Sequence, residues 1–454
     1  MALKEVYQLN LNHGFLPTIL REDHELVILS GKIDWEAMSD ALRSKFSLKG
    51  RKAKRLQLMI GLHFLKHLYN LSDERVCFML EENLYFRYFC GVDHDMQEWL
   101  SKTILNPCTM SRFRKRLGVG GMHLIENVIK TQLFEEKRIS TKLQIVDTTA
   151  VEKNIAYPVD SHLLARGIRK VTGLVGKLKK KGLSVAVRSF RRLVRKEVLK
   201  INKLGRGRKE RIAEGTKRLI EYAKKVAKAA VVATRAQKKR VKAATLMVID
   251  GLKKQLEQGL DLLGRVINQA QKRLEGIHVK EKVLSLHEPN VAVIAKGKRR
   301  KRYEFGAKVS FSVERNGYVV GHQEYHQNVA DIKTLDPALD DWAQTFGHLP
   351  DELGTDRGYF TSNPSETVSK VRRAAIPTRG RKRHPDADKA YFRRIQRRRN
   401  CIEPLIGHLK ADHRLDRCRY SGKVGDTLNV GFGATAWNLK KWAREIRHEK
   451  RKAA

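Results

Sequence analysis

The first strand-like segment of this chain is separated from the others by a long stretch of different character. Residues 143–151 (LQIVDTTAV) are apolar and β-branched, the texture of a short buried strand. The next comparable segments, VAVIA, YEFGAKVSFSV and YVVGHQEYH, come only after Leu286. Between the last two, Arg315-Asn316-Gly317 supplies an Asn-Gly hairpin turn. There follow an amphipathic helix near 332–345, a short strand in DELGTDRGYF, a helix near 364–371, a strand in AAIPT and a final helical region from about Lys389. Any sheet must therefore be assembled across residues 161–285. This order predicts an α/β fold, a mixed sheet flanked by helices. No repeat of fixed period is visible.

The interrupting stretch has two parts. Between Ser161 and Arg240 stand 27 Lys and Arg against four acids, Glu197, Glu210, Glu214 and Glu221; this is over half of the net +44 of the 454-residue chain. After that, Ile249, Leu252, Leu256, Leu260, Leu263, Ile267, Ala270 and Leu274 recur at steps of three and four, a helical stripe. Such a stripe asks for a partner helix, so a helical hairpin or coiled coil is expected, as internal packing rather than a dimer zipper. Gly251, Gly259 and Gly264 cost that helix roughly 1 kcal/mol each, which packing must offset.

The region before residue 138 reads as helical. Residues 55–69 (RLQLMIGLHFLKHLY) are strongly apolar with basic punctuation. Ser72, with Asp73 and Glu74 behind it, opens a capping pattern before VCFMLEENLYFRYFCG, which Gly91 should stop. CTMSRFRKRLG makes a further short basic helix ending in glycine. The set suits a helix-turn-helix-like DNA reader, and equally an ordinary helical domain.

The charge balance narrows the partners. Lys and Arg number 93 against 49 Asp and Glu. A surface that positive repels itself unless it meets a polyanion. Nucleic acid is the natural one, because neutralising phosphates releases condensed counterions; an anionic membrane surface is the lesser alternative. The five cysteines (Cys77, Cys90, Cys108, Cys401, Cys418) form no Cys-x-x-Cys pair, so neither a disulfide framework nor a thiolate zinc site is expected, and a reducing cytoplasm fits. No secretory signal pattern and no run of roughly 18 apolar residues is visible.

Three acids stand out. Asp147 follows Ile145 and Val146 inside the first strand, where a carboxylate needs a partner to justify its burial. Asp356 precedes Arg357-Gly358-Tyr359 at a strand tip, where open α/β sheets usually build sites. Glu403 lies in RRRNCIEPLIGHLKADHR; on one continuous helix Arg399, Glu403 and Lys410 would share a face. Pro404 sets a helix start near Glu403 instead, in which case Arg399 leaves that face. Acids converging on one point suit divalent metal, since magnesium prefers carboxylate oxygens and two such ions clamp the attacking and leaving oxygens of a phosphoryl transfer. Taken singly, each also reads as a strand-end acid, a turn residue or a helix N-terminal charge.

Together the segments carry more. QIVDTTAVEKNIAYPVDSHLL, TDRGYF and RNCIEPLIGHLKADHRLDRCRYSG resemble the three catalytic blocks of insertion-sequence transposases of the DDE type, group five. SLHEPNVAVIAKGKRRKRYEFGAKVS is similar to that family's region between the first two acids, and the helical N-terminal block to its N-terminal domain. The resemblance implies an RNase H-like fold with Asp147, Asp356 and Glu403 as the catalytic triad on two Mg2+ (or Mn2+) ions. Asp147 would bridge both, Asp356 and Glu403 each favouring one. The family signature Tyr-x2-Arg-x3-Glu-x6-Lys is met at Arg399, Glu403 and Lys410 and fails at its Tyr position, Gln396 here; this puts some DNA-end contact in doubt. Arg399, Lys410 and Arg357 would hold DNA near the cut.

The implied reaction is cleavage at the element's own ends by water, then attack of the terminal 3′ hydroxyl on target DNA. The implied partners are terminal inverted repeats and target DNA, handled by a homodimer on paired ends in a prokaryotic cytoplasm, associated with the nucleoid. The alternatives are a nuclease without strand transfer and an inactive DNA-binding descendant. Lys296 and Lys298 either touch phosphate or form a solvated basic turn. Asp160 and Glu304 lie close to the motifs without a role of their own. Asp412 and Asp416 are expected in local ion pairs, and His408 on a helix surface. The expected organisation is a DNA-binding helical domain at 1–138, the catalytic core at 139–160 and 286–425, the basic insertion at 161–285 and a basic helical tail at 426–454.

Overall fold

A computed structural model of the protein describes residues 20–46, 54–92, 105–183, 185, 187–204, 208–236, 243–295, 303–380 and 383–453. The chain divides into two compact units, Met1–Asn154 with Ala292–Ala454, and Ile155–Val291.

The first unit opens with helices α1 (Glu25–Lys32), α2 (Trp35–Leu42), α3 (Leu56–Leu68), α4 (Asp73–Glu82), α5 (Leu84–Phe89) and α6 (Pro107–Glu135). In α3 every residue from Leu58 to Leu68 is buried, His63 and His67 included, as the apolar run requires. Ser72 caps α4 by accepting the amide of Arg75 at 3.1 Å. The helix expected to run on to Gly91 is broken at Asn83, which ends α4 in an extended conformation and caps α5 through the amide of Phe86 at 3.2 Å. The expected stop at Gly118 is a non-helical break (φ 60°) inside α6, not its end.

The sheet contains β1 (Leu143–Lys153), β2 (Ala292–Ala295), β3 (Tyr303–Glu314), β4 (Val319–Tyr325), β5 (Glu352–Gly354), β6 (Arg373–Ala375) and β7 (Arg417–Cys418). Its order is β2-β3-β1-β5-β6, with β4 on β3 and β7 on β1. The β1–β3 pair is antiparallel and sets Asp147 opposite Phe311. β5 and β6 run parallel to their neighbours. β5 pairs with β1 only through Ile145, and β7 rejoins that edge at Glu152, so Asp147 lies where the edge of β1 is open.

Strand alternation sends neighbouring residues to opposite faces. Ile145 and Val151 face a core with Phe392, Ile395, Leu405, Phe432 and Trp442. Val146 faces a smaller one with Leu335, Leu339, Tyr359 and Val368. The covering helices are α11 (Leu335–Phe346) and α12 (Glu366–Ser369) on the Val146 side, and α13 (Ala390–Arg399), α14 (Ile402–Ala411) and α15 (Gly422–Ala453) on the other. The stretch expected as a basic tail belongs to α15, in which Leu428, Val430, Phe432, Leu439 and Trp442 are buried.

Buried charge fastens these layers. His322 on β4 lies 2.6 Å from Glu126 of α6 and 2.7 Å from Glu324. Burial opposes its charge, but the two carboxylates override it and hold the His322 pKa well above the usual histidine value. Asp73 lies 2.6 Å from both Lys66 and Arg114, and Arg114 sits over the Tyr420 ring at 4.2 Å. Asn70 donates to Ala411 O at 2.9 Å and Arg414 donates to Asn70 O at 3.0 Å, tying α3 to the end of α14.

In the second unit, α7 (Asp160–Lys180), α8 (Arg191–Lys203), α9 (Lys209–Arg235) and α10 (Ala243–Leu274) share one core. On α10 the expected stripe is used internally: Ile249, Leu256, Leu263, Ile267 and Ala270 are buried, and Leu252, Leu260 and Leu274 pack against them. Asp160 caps this packing through Gln269 and Arg273, each at 3.0 Å.

Candidate active site

Four elements carry the predicted acids and the arginine that joins two of them. Asp147 sits in β1 on the face it shares with Ile145, and Thr148 N donates to its Oδ1 at 2.8 Å. Asp356 follows β5 and caps a single 3-10 turn, Arg357–Tyr359, accepting Gly358 N at 2.7 Å. Glu403 is in the first turn of α14 and its side chain is 67% exposed, open to whatever approaches. Arg399 ends α13, and its Nη2 lies 3.4 Å from Asp147 Oδ2 and 3.3 Å from Glu403 Oε1.

The helix does start anew near Pro404, after Asn400 and Cys401. Arg399 nonetheless keeps Glu403 within reach, because Asn400 and Cys401 between them stay in right-handed helical backbone, and α13 itself lies directly on β5. A Cβ at Gly354 would stand 2.8 Å from Ile395 and 3.8 Å from Arg399 Cβ, so only glycine admits this approach. Gln396, at the signature's missing tyrosine, donates to Thr355 O at 3.1 Å and Ala375 O at 2.6 Å. Its amide is spent on anchoring α13 to the ends of β5 and β6.

The electrostatics show an acid site short of positive charge. Burial pushes the Asp147 pKa up to about 6; Arg399 pulls it down and the charge of Asp356 pushes it back up. Burial, and next the charge of Asp147, raise the Tyr359 hydroxyl well above its usual value, with Asp331 and Asp356 adding to it. The charges of three aspartates are thus felt at one phenol. Asp331 is the residue that sequence reasoning missed. It accepts from Thr148 Oγ1 at 2.5 Å and pairs with Lys308 at 2.6 Å. A Cβ on Gly358 would lie 2.8 Å from Asp331 Oδ2 and 2.9 Å from Asp356 Oδ1, so these carboxylates are neighbours. Asp331 carries no local motif; only the fold brings it there.

Among the described residues no three His, Cys, Asp or Glu are close enough to form a metal cage. The cation that Asp147 and Glu403 share is the Arg399 guanidinium. Arg399 Nε is buried without a hydrogen-bond partner among the described residues, a donor left for an incoming anion. The available donors are all carboxylate oxygens, the type magnesium and manganese prefer, and the charge of Asp356 that opposes ionisation of Asp147 is one a divalent ion would relieve.

The other expected residues are spread around this centre. Arg357 is exposed in the turn after Asp356, its carbonyl accepting Arg379 Nε at 3.1 Å. Lys410 is half-buried in the last turn of α14. Lys296 and Lys298 lie outside the described residues. His408 pairs with Asp412 at 2.9 Å and stacks on Trp437, a surface arrangement. Glu304 is buried in β3. No helix among the described residues is long and apolar enough to cross a membrane.

Comparison with known proteins gives these residues a context. A transposase domain family (DUF772) matches residues 16–116, and a transposase DDE domain matches residues 361–443. The second match contains Arg399, Glu403 and Lys410; Asp147 and Asp356 lie before it. A Rhizobium meliloti protein, described as uncharacterized protein ORF8 in the nfe locus, is 32% identical over 196 residues, spanning 42% of this chain and 91% of that protein. No solved structure matches. With a transposase domain matched at residues 16–116 and a transposase DDE domain at 361–443, the chain belongs to the insertion-sequence transposases of the DDE type.

Proposed function

We propose that this DNA transposase cuts the ends of its own element and transfers the 3′ strands to target DNA by two-metal phosphoryl transfer, on an RNase H-like core of the group-five kind. The reading rests on one observation above the rest: Asp147 and Glu403, distant in sequence, meet at Arg399, while the charge of Asp356 is felt at Asp147. Asp147, Asp356 and Glu403 would hold two Mg2+ (or Mn2+) ions. Bound there, such ions lower the pKa of an attacking water and stabilise charge on the entering and leaving oxygens.

The protein's own groups do the rest. Thr148 N and Gly358 N fix the two aspartate carboxylates, so little reorganisation is needed. Arg399 neutralises Asp147 and Glu403 before loading and presents its unpartnered Nε to a phosphate oxygen. Arg357 and Lys410 take phosphates on either side, and Lys296 and Lys298 add to that hold. The N-terminal helices read the terminal inverted repeats, residues 161–285 add non-specific grip, and a homodimer pairs the two ends. The protein works in the prokaryotic cytoplasm, on the nucleoid.

The test is incubation of the full chain with Mg2+, labelled terminal-repeat DNA and a target duplex. Nicked ends followed by joined product are expected. Nicking that never proceeds to joining indicates a nuclease, and binding without nicking an inactive descendant; either result contradicts the proposal.

A further inference from the structure

A fourth acid stands beside the site, and its contacts run to the supports of two of the others. Asp331 opens the 3-10 turn Asp331–Thr334 between β4 and α11, and Thr334 Oγ1 closes that turn by donating to Asp331 O at 2.7 Å. Lys308 of β3 holds the segment twice. It donates to Val329 O at 2.7 Å and meets Asp331 Oδ1 at 2.6 Å. In the β1–β3 pair Thr148 stands opposite Ser310, so Thr148 and Lys308, two residues from Ser310, share one face of the sheet. That face is the one away from Asp147.

A buried cation explains part of this. The Lys308 side chain is only 10% exposed, and a charge so placed needs a counter-charge. One oxygen of Asp331 suffices for that, and Oδ1 takes Lys308 and the Thr148 hydroxyl together. Two features are left over. The hydroxyl belongs to the residue whose amide holds Asp147 Oδ1 at 2.8 Å. The other oxygen, Oδ2, is turned to Gly358, whose amide holds Asp356 Oδ1 at 2.7 Å. The approach is so close that residue 358 must lack a Cβ. It also sets two like charges side by side, which costs stability and which the neutralising of Lys308 does not require.

We propose that Asp331 is a positioning residue of the acid site: one carboxylate braces the supports of Asp147 and Asp356, and so sets the placing of the two carboxylates that a divalent ion would share. The inference rests on the two-metal reading above. Asp331 itself touches no reacting atom. Its Oδ1 fixes Thr148 from the far face of β1, its Oδ2 backs the Arg357–Tyr359 turn, and Lys308 keeps it in place. Supports of this kind outside the metal's own ligands are worth roughly 10–100-fold in metal affinity or activity.

The experiment uses the full chain with Thr148→Val, Thr148→Ser, Asp331→Ala, and Thr148→Val combined with Asp331→Ala. Mn2+ affinity is read by electron paramagnetic resonance, DNA affinity and end cleavage are read separately, and thermal melting reports the fold. Thr148→Val keeps the shape and the Lys308–Asp331 pair and removes only the brace, so its melting changes little. Its Mn2+ affinity and cleavage rate are expected to fall by roughly 10–100-fold each, with DNA affinity within about twofold. Thr148→Ser, which keeps the hydroxyl, recovers most of that loss. Asp331→Ala also melts earlier, because Lys308 is stranded, and the double variant is no worse in Mn2+ affinity than Asp331→Ala alone, since both changes break one contact. Full Mn2+ affinity in Thr148→Val overturns the proposal and leaves Asp331 a counter-ion of Lys308; losses that simply add in the double variant overturn it as well. If the unaltered chain binds no Mn2+, the two-metal reading fails, and hydrogen exchange over residues 145–151 decides the brace: faster exchange in Thr148→Val supports it, and unchanged exchange overturns it.

Discussion

Asp147→Asn is expected to give a folded protein that binds DNA and cuts none of it, with activity down at least about a thousandfold, or roughly 4 kcal/mol of barrier. The substitution removes one carboxylate charge and little volume. Its effect on stability should run the other way. The folded-state pKa of Asp147, about 6, lies above its ordinary value of 3.8. A group raised in this way stabilises fully below the unfolded value, and that contribution is lost as pH rises through the folded one. At pH 7 the charged carboxylate therefore costs on the order of 3 kcal/mol, the pull of Arg399 already included. Thermal melting at pH 7 should find Asp147→Asn at least as stable as the unaltered chain, with the gap closing towards pH 4. Asp356→Ala and Glu403→Ala should lose cleavage to the same degree and keep DNA binding. Retained cleavage in any of the three removes that residue from the triad, and a much lower melting temperature for Asp147→Asn contradicts the account of a site built at the expense of stability.

Asp73→Ala should produce the largest loss of stability of any single polar substitution in the first unit, about 3–5 kcal/mol. Lys66 and Arg114 both point at this carboxylate, and the Lys66 side chain is only 4% exposed. Without Asp73 two cations remain buried beside each other. Burial opposes the charge of Asp73 and the Arg114 and Lys66 bonds overcome it, holding its pKa far below the usual range. Its contribution is thus present above the ordinary carboxylate pKa and disappears as pH falls through the depressed one. The check is chemical denaturation of Asp73→Ala, Lys66→Met and the double variant. The double variant should recover part of the loss, because one of the stranded cations is gone. Strict additivity of the two changes would show that the cluster is not coupled.

Much of this architecture is legible in the residues, and the failures have physical causes. Short β-branched runs bounded by Gly and Asn located β1, β3 and β4, since a strand buried on both faces needs little but apolar texture. The α10 stripe announced a helix with a partner, and its periodicity is satisfied inside the second unit. The break at Asn83 was not legible, because an asparagine within an apolar run is as readily a solvent-facing helix residue as a cap. At the site, Asp147, Asp356 and Glu403 could be singled out by position, but not the meeting of Asp147 and Glu403 at Arg399. The local sequence suggested that Pro404 would part Arg399 from Glu403; Asn400 and Cys401 keep right-handed helical backbone between the two helices, so the four-residue spacing still brings them within 3.3 Å. Asp331 and the anchoring role of Gln396 are products of tertiary contact alone.

The most direct test of a shared metal site is anomalous diffraction from crystals of the full chain, bound to cut-end DNA and soaked in Mn2+. The expected result is manganese bounded by the carboxylates of Asp147, Asp356 and Glu403, with the Arg399 guanidinium moved onto a DNA phosphate. Manganese bound elsewhere, with Arg399 still bridging Asp147 and Glu403 beside an intact DNA end, would contradict it.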